Sequence, residues 1–510
     1  MNQITDLSQI IVEVDGRPLQ PEDARTLGEA RIQQRLSAPA QCELVFFDPT
    51  GPPGNPRAMS PGALLRINVK NQGTELFTGE VTAVEYVYGS GRERETRVRA
   101  YDLLHRLRKR QPVRAHVQVT LADLAREMAA AAGLSVESGA DSPVWKRLIQ
   151  HQQSDLDLLV EIAERCGLSF VARGASLCIF TLQGMDQPVP LALGDSLFEA
   201  RIEVNGNHAC RSVTAKGWDP WRVEPRSGQA SQARSGRRVP AKVAPSRVGA
   251  TGERTLADLV VQDDRQAEAY AQAELDLRAA QEVTLWGVAE GNTKLRPGTP
   301  VTISGVADQL AGQYVLTAVK HTIDSNRGFI SEITTAPPAP RRRHGGAAAG
   351  ALAVLGIVTK IDDPERLGRI QVSLPAFGDV ETDWIGVLSA GAGGGKGLVM
   401  IPDVGDNVLV LCAQGDPAQG IVLGGLFGAK GLPDEVFAGG EVRRFTFLSP
   451  GGQGIRLDDS DKSIRLENSE GSFVELLPNK AKLHAATDLE IEAPGKSIII
   501  RGAKIDFQRG

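Results

Sequence analysis

The 510-residue chain is short of aromatic residues, of cysteine and of unbroken hydrophobic sequence. It holds 14 Phe, 5 Tyr and 5 Trp against 55 Gly, a balance that favours many turns and short strands over long helices. No run approaches the 18 apolar residues that a membrane-crossing helix needs. The opening MNQITDLSQIIVEVDG has no basic stretch followed by an apolar one. It is therefore not expected to act as a secretory signal, and synthesis in a bacterial cytoplasm is expected. The five cysteines (Cys42, Cys166, Cys178, Cys210 and Cys412) are scattered, odd in number and free of any CxxC pair. They are expected to be reduced, buried small hydrophobes. The seven histidines show neither HExxH nor any paired ligand spacing, so no metal or cofactor is expected. Charge of one sign is lacking too. With 57 basic and 62 acidic residues the net charge is −5, which gives no reason to expect nucleic-acid binding or a polybasic membrane anchor.

What is present is ordinary globular composition, 41% hydrophobic and 23% charged, at a length suited to about three domains. Residues 1–335 form a first part, mostly strand. IIVEV at Ile10, CELVFF at Cys42 and LLRINV at Leu64 alternate or run apolar over strand lengths. LFTGEVTAVEYVY follows, with Gly79 marking a bulge or bend. Helical spacing occurs in TLADLAREMAAAAG, with Thr120 as N-cap and Gly133 ending it. SDLDLLVEIAERCG repeats the pattern with Ser154 and Gly167. YDLLHRLRKR and DDRQAEAYAQAELDLRAAQ are the other two helical stretches. Arg222 to Arg254 is rich in Arg, Ser, Gly and Pro without apolar period, so it is expected to be a loop.

APPAPRRRHGGAAAGA sets a linker at 336–353. Residues 354–430 then read as five or six strands with tight turns: LGIVTKID, LGRIQVSLPA, DWIGVLS, GLVMIP, DNVLVLCAQ and QGIVLGGLFG. A unit of that size suits a small OB-type barrel. After a connector at 431–453, the tail 454–510 repeats apolar pairs at i and i+2. They are Ile455/Leu457, Ile464/Leu466, Val474/Leu476, Leu483/Ala485, Leu489/Ile491, Ile498/Ile500 and Ile505/Phe507. Such strands are too short to make a core alone. Either they stack into a narrow column wound from several chains, or they form a simple antiparallel meander. In the column, Ile498, Ile500, Ile505 and Phe507 would be core and tip residues.

The barrel segment GKGLVMIPDVGDNVLVLCAQGDPAQGIVLGGLFG resembles the OB domain shared by phage baseplate spikes and the valine–glycine repeat proteins (VgrG) of type VI secretion. The resemblance lies in Gly397, Pro402, Gly405, Asp406, Val408, Val410, Gly415, Asp416, Pro417 and the run Val422 to Phe427, omitting Gly425. Asp363-Pro364, Leu367-Gly368-Arg369 and Trp384 extend it upstream. LFTGEVTAVEY, YDLLHRL, QHQQSDLDLLVEIAERCGLSF, VTAKGWDP and LRPGTPVTISGVADQLAGQYVLTAVKHTI are similar to the same family's baseplate hub. The implied fold is mainly β with some α: a hub of β-barrel and α+β type, an OB barrel and an intertwined triangular β-helix. The opening strands and modest length look closest to spikes of extracellular contractile injection systems, with a type VI VgrG tip protein as the alternative. The resemblance implies a homotrimer that meets an inner tube protein and baseplate proteins. It also implies a PAAR-like tip protein at the C-terminal end and transient contact with a target envelope. The localisation implied is a phage-tail-like particle, which can be released from the cell.

No catalytic constellation emerges. SAGAGGGKG (Ser389 to Gly397) has Ala390 and Gly397 where a P-loop needs Gly and Ser or Thr. No GxSxG occurs. Asp458, Asp459 and Asp461 read as a solvated turn, His321 as a strand residue near the hub surface, and Arg226, Arg234, Arg237, Arg238, Lys242 and Arg247 as a solvated loop. The connector is too short for the lysozyme that some phage relatives insert there, so a tail-associated cell-wall hydrolase is the disfavoured rival. A sugar-binding adhesin would need aromatic platforms, and from Phe445 to the last residue the aromatics are only Phe445, Phe447, Phe473 and Phe507.

Overall fold

The structure, a computed structural model, describes residues 10–48, 59–90, 93–219, 222, 224–339, 352–428 and 431–508. The expected linker falls largely outside the described residues. Two compact units emerge, Met1–Gly425 and Leu426–Gly510.

An eleven-stranded sheet organises the first unit. Its order runs Leu197–Val204, Val283–Glu290, Gly328–Thr334, Ala318–Asp324, Leu27–Arg35, Gln41–Phe47, Arg94–Tyr101, Phe77–Tyr88, Leu64–Val69, Ile10–Val14 and Arg17–Pro18. Alternation sets its faces: Leu65, Ile67 and Val69 are buried while Leu64 and Arg66 are exposed. The polar face carries a ladder in which Arg31 lies opposite Glu43 and Glu43 opposite Arg99. Gly79 is not the bulge. The register slips between Val81 and Ala83, and a Cβ at Gly79 would lie 2.2 Å from the Tyr101 carbonyl oxygen. Gly79 permits close strand approach instead.

The helices Leu121–Ala130 and Asp155–Arg165 share a second core, where Leu124, Met128, Leu159 and Ile162 are buried. Both begin with a capping box, Thr120 with Asp123 and Ser154 with Asp157. Each such cap stabilises by about 1 kcal/mol. The expected helix in YDLLHRLRKR shrinks to His105–Arg108. Tyr101 still belongs to a strand, and the buried Asp102 carboxylate accepts the amides of Ala40 (2.8 Å) and Leu104 (3.1 Å). Pro112 bars continuation on the other side.

The Arg-rich stretch is not a plain loop. Glu224–Ala230 pairs antiparallel with Ser212–Asp219, which pairs parallel with Glu253–Val260. Helix Asp264–Glu282 lies so close to this sheet that a Cβ at Gly228 would sit 2.1 Å from the Glu268 amide nitrogen. Arg226 meets the buried Asp219 at 3.2 Å, Arg234 meets the buried Asp276 at 2.8 Å, and Arg237 meets the buried Glu282 at 3.4 Å. Arg234 and Arg237 thereby clamp the helix, and Arg226 ties two neighbouring strands, because buried carboxylates require partners. Arg238, Lys242 and Arg247 are exposed.

His321 also departs from expectation, being fully buried in the hub. Its ring contacts Ser331 Oγ at 2.9 Å and the Leu295 carbonyl oxygen at 3.0 Å. Burial pushes its pKa from 6.5 down to about 4. The unfolded chain therefore binds this proton first. The stabilisation is complete above pH 6.5 and is lost as pH falls towards 4, by up to about 3 kcal/mol. Asp102 acts in the opposite sense, because burial raises its pKa from 3.8 to about 7. Its contribution is present below pH 3.8 and is lost as pH rises through 7. The test is accordingly a comparison of urea midpoints at pH 7 and pH 5 for wild type and His321→Gln. The wild type should lose more stability on acidification than the variant; equal losses would contradict the assignment.

The barrel comprises Leu352–Lys360, Arg369–Leu374, Val380–Glu381, Ile385–Val387, Asn407–Cys412 and Gly420–Gly425. Val354, Val358, Ile370, Val372, Val408, Val410 and Val422 fill it. GLVMIP, expected as a strand, has no strand structure and is exposed. All five cysteines are free and buried.

In the second unit, Arg444–Leu448, Gly454–Asp458, Ser463–Glu467, Phe473–Leu477 and Lys480–His484 form a five-stranded antiparallel meander. Within one chain, sequence neighbours are the strands at hand, so the repeat folds back on itself rather than winding. The described residues beyond His484 carry no strand.

Candidate assembly surfaces

The meander sorts its residues by face with little mixing. Cross-strand register aligns Phe445, Leu457, Ile464, Leu476 and Ala481 in one column. A second column holds Phe447, Ile455, Leu466, Val474 and Leu483. The fourth apolar pair is thus Ala481/Leu483, not Leu483/Ala485. All of these residues are exposed, the large ones from 40% at Leu457 to 65% at Phe445. The opposite face is a charge ladder. Arg444 meets Asp434 at 2.9 Å and Asp458 at 2.7 Å, Arg465 meets Glu467 at 2.6 Å and Glu475 at 3.0 Å, and Arg456 pairs with Glu467. Asp458 is therefore engaged, with the Asp461 amide, Arg444 and the Ser460 amide holding its carboxyl below the usual range.

Sequence spacing missed the first strand of this face, although Phe445 and Phe447 carry the same i, i+2 signal. The expected core and tip residues Ile498, Ile500, Ile505 and Phe507 are all exposed, Phe507 at 90%. The tail thus presents a long apolar surface that the single chain does not cover.

The barrel turns flagged by the sequence have physical causes. The Asp363 carboxylate accepts from Arg369 Nε (2.9 Å) and Nη2 (2.6 Å) and from the amides of Glu365 (3.1 Å) and Leu367 (2.9 Å). That donor set, led by Arg369, holds its pKa at about 2. Asp416 accepts from the Ala418 amide at 3.0 Å and Gln419 Nε2 at 2.9 Å, folding the Gly415-Asp416-Pro417 turn. Burial raises its pKa, and the charge of Arg165 partly offsets that. The barrel leans on the hub there, with His151 edge-on to Phe377 at 4.7 Å between ring centroids and Arg147 donating to the Glu381 carbonyl.

A cleft of about 640 Å³ lies in the hub, lined by Leu256, Leu259, Tyr270 and Leu277 with Glu161, Glu274 and Asp276. Its acids are engaged: Glu161 pairs with Arg165, Glu274 meets Arg254 at 2.9 Å and Arg278 at 2.7 Å, and Asp276 is held by Arg234. Among the described residues no group of three His, Cys, Asp or Glu is placed to hold a metal ion.

Residues 6–325 match the family described as the Alg8 N-terminal domain, which spans more than half of the chain. The chain belongs to that family. Residues 354–427 match the type VI secretion system and phage-baseplate injector OB domain. No curated protein matches. Among solved structures, the E. coli c3393 protein is described as a type VI secretion component similar to T4 bacteriophage tail proteins gp27 and gp5. It superposes with a TM-score of 0.51 at 14% identity, over 82% of this chain and 99% of its own. The Francisella PdpA–VgrG complex in its lidded form gives 0.51 at 10% identity, over 93% of this chain and 80% of its own. A lidless PdpA–VgrG complex gives 0.52 at 10% identity, over 93% and 98%. This Alg8-family chain is therefore a spike–hub protein in fold, mainly β, with a VgrG-like architecture and an injector OB domain.

Proposed function

We propose that the protein is a structural, non-enzymatic spike–hub subunit of a contractile, phage-tail-like injection machine, working as a homotrimer. The observation that carries this reading is the tail sheet, apolar in two full columns on one face and ion-paired on the other. An exposed face of that size and order needs a cover. Copies of the same chain supply one with matching strand spacing. Three such sheets set apolar face inwards would bury both columns inside a three-sided prism, a form suited to transmitting force. The hub end would meet the tube and baseplate, and the exposed Ile505 and Phe507 end would take a PAAR-like cap. The assembled point would be driven through a target envelope. Membership of a particle made in the cytoplasm and released from the cell belongs to the same proposal. Sedimentation of the full chain at micromolar concentration tests it. A trimer is expected; a well-folded monomer would remove the central claim.

The non-enzymatic reading is supported by the engaged acids of the hub cleft and by the short barrel-to-tail connection. The purified protein should release no more soluble fragments from peptidoglycan than a heat-denatured control. Reproducible turnover above that control would require a catalytic site.

A further inference from the structure

We propose that the hub cleft is a binding site for a small, uncharged and largely apolar molecule. This site does not depend on the trimer or on the spike role. The cleft opens where three of the hub's cores meet. Leu168 belongs to the core of the two capped helices, Leu256, Leu259 and Tyr270 flank the core beneath helix Asp264–Glu282, and Leu182 flanks a third. Leu182, Leu256, Leu259, Tyr270 and Leu277 are only partly buried, so each keeps apolar surface for a ligand to cover.

The walls are fixed rather than free to close. Just after helix Asp155–Arg165, a Cβ at Gly167 would lie 2.9 Å from the Ala273 Cα of the facing helix, so the two already touch there. Arg234 ties the same two helices, with Nη2 donating to the Cys166 carbonyl at 2.7 Å and Nε to Asp276 at 2.8 Å. From strand Glu253–Val260, Arg254 reaches Glu274 at 2.9 Å. A preformed cleft loses little conformational freedom when it binds. Its volume of about 640 Å³ suits a small molecule.

Charge then selects the ligand. Carboxylates line the cleft, yet each is engaged. Asp157 closes the capping box with Ser154, Glu161 pairs with Arg165, Glu274 and Asp276 are held by arginines, and Glu164 is not free either. A cation therefore finds no carboxylate waiting for a partner, and an anion meets a wall of negative charge. An uncharged body displaces water from the leucines without breaking an ion pair. Ser37, Gln153 and Ser169 bring hydroxyl and amide groups to the same cleft, enough to orient a ligand with one hydrogen-bonding group.

Two dyes with the same ring skeleton test the site on the full-length protein. N-phenylnaphthylamine is uncharged and carries one N–H, and anilinonaphthalene sulfonate adds a negative charge. The uncharged dye should bind saturably, one per chain, and raise the melting temperature. The sulfonate should bind at least about tenfold more weakly, because its charge has no partner in the cleft. Leu277→Trp and Leu256→Trp each place an indole in the cleft. Each should weaken the uncharged dye by about tenfold or more, since the apolar area it would cover is taken, with circular dichroism unchanged. No saturable binding to the wild type, equal affinity for the two dyes, or undiminished binding to a folded variant overturns the site. Should one variant fail to fold, the other and the two-dye comparison on the wild type still decide.

Discussion

Leu466→Asp should leave the chain folded and abolish its assembly. Leu466 sits in the middle strand of the tail sheet, opposite Ile455 on one side and Val474 on the other. It is half exposed in the single chain, so a carboxylate there meets water and costs the monomer little. In a three-chain column the same carboxylate enters an apolar interior together with two copies of itself. Burying such a charge without a partner costs several kcal/mol, and like charges add to that. Each 1.4 kcal/mol is tenfold in an equilibrium constant, so assembly should weaken at least a hundredfold. Lys480→Asp, on the opposite face of the same sheet, should leave assembly within a few-fold of wild type. Analytical ultracentrifugation over a concentration series reads both variants. Unchanged assembly of Leu466→Asp would mean that the apolar columns do not face other copies.

The second large effect is expected in the barrel. Asp363 and Arg369 form a two-point ion pair with side chains only 3% and 8% exposed. Asp363→Ala leaves a buried guanidinium with Glu365 at 3.3 Å as its remaining ion-pair partner, and deprives the Glu365 and Leu367 amides of their acceptor. Breaking a buried pair from one side costs about 3–5 kcal/mol, whereas replacing both partners by apolar groups of similar size costs much less. The double variant Asp363→Leu with Arg369→Met should therefore recover most of the loss. Trp384 is the only tryptophan of the barrel, so fluorescence reports the barrel's unfolding once Trp145, Trp218, Trp221 and Trp286 are replaced by Phe. Because the Asp363 pKa is lowered to about 2, the pair's contribution is present above pH 3.8 and is lost as pH falls through 2. A loss below 1 kcal/mol in Asp363→Ala would show that solvent reaches the pair.

What the sequence determined by itself was whatever depends on neighbours along the chain. The alternation in LLRINV fixed which side of the strand is buried, and Thr120 and Ser154 with their following acids fixed two helix starts. The i, i+2 spacing of the tail likewise assigned its apolar face, as far as Leu483. In the Asp363 turn, a carboxylate and its donors lie within six residues, so the motif was legible before its hydrogen bonds were known. The tertiary structure decided what depends on distant partners. Arg234 and Arg237 read as solvated because their carboxylates, Asp276 and Glu282, lie some forty residues away on a helix. His321 read as a surface residue because nothing local shows that Leu295 and Ser331 close over it. GLVMIP read as a strand because apolar residues usually mark burial, yet here barrel turns hold them outside the closed core, where burial within one chain no longer governs them.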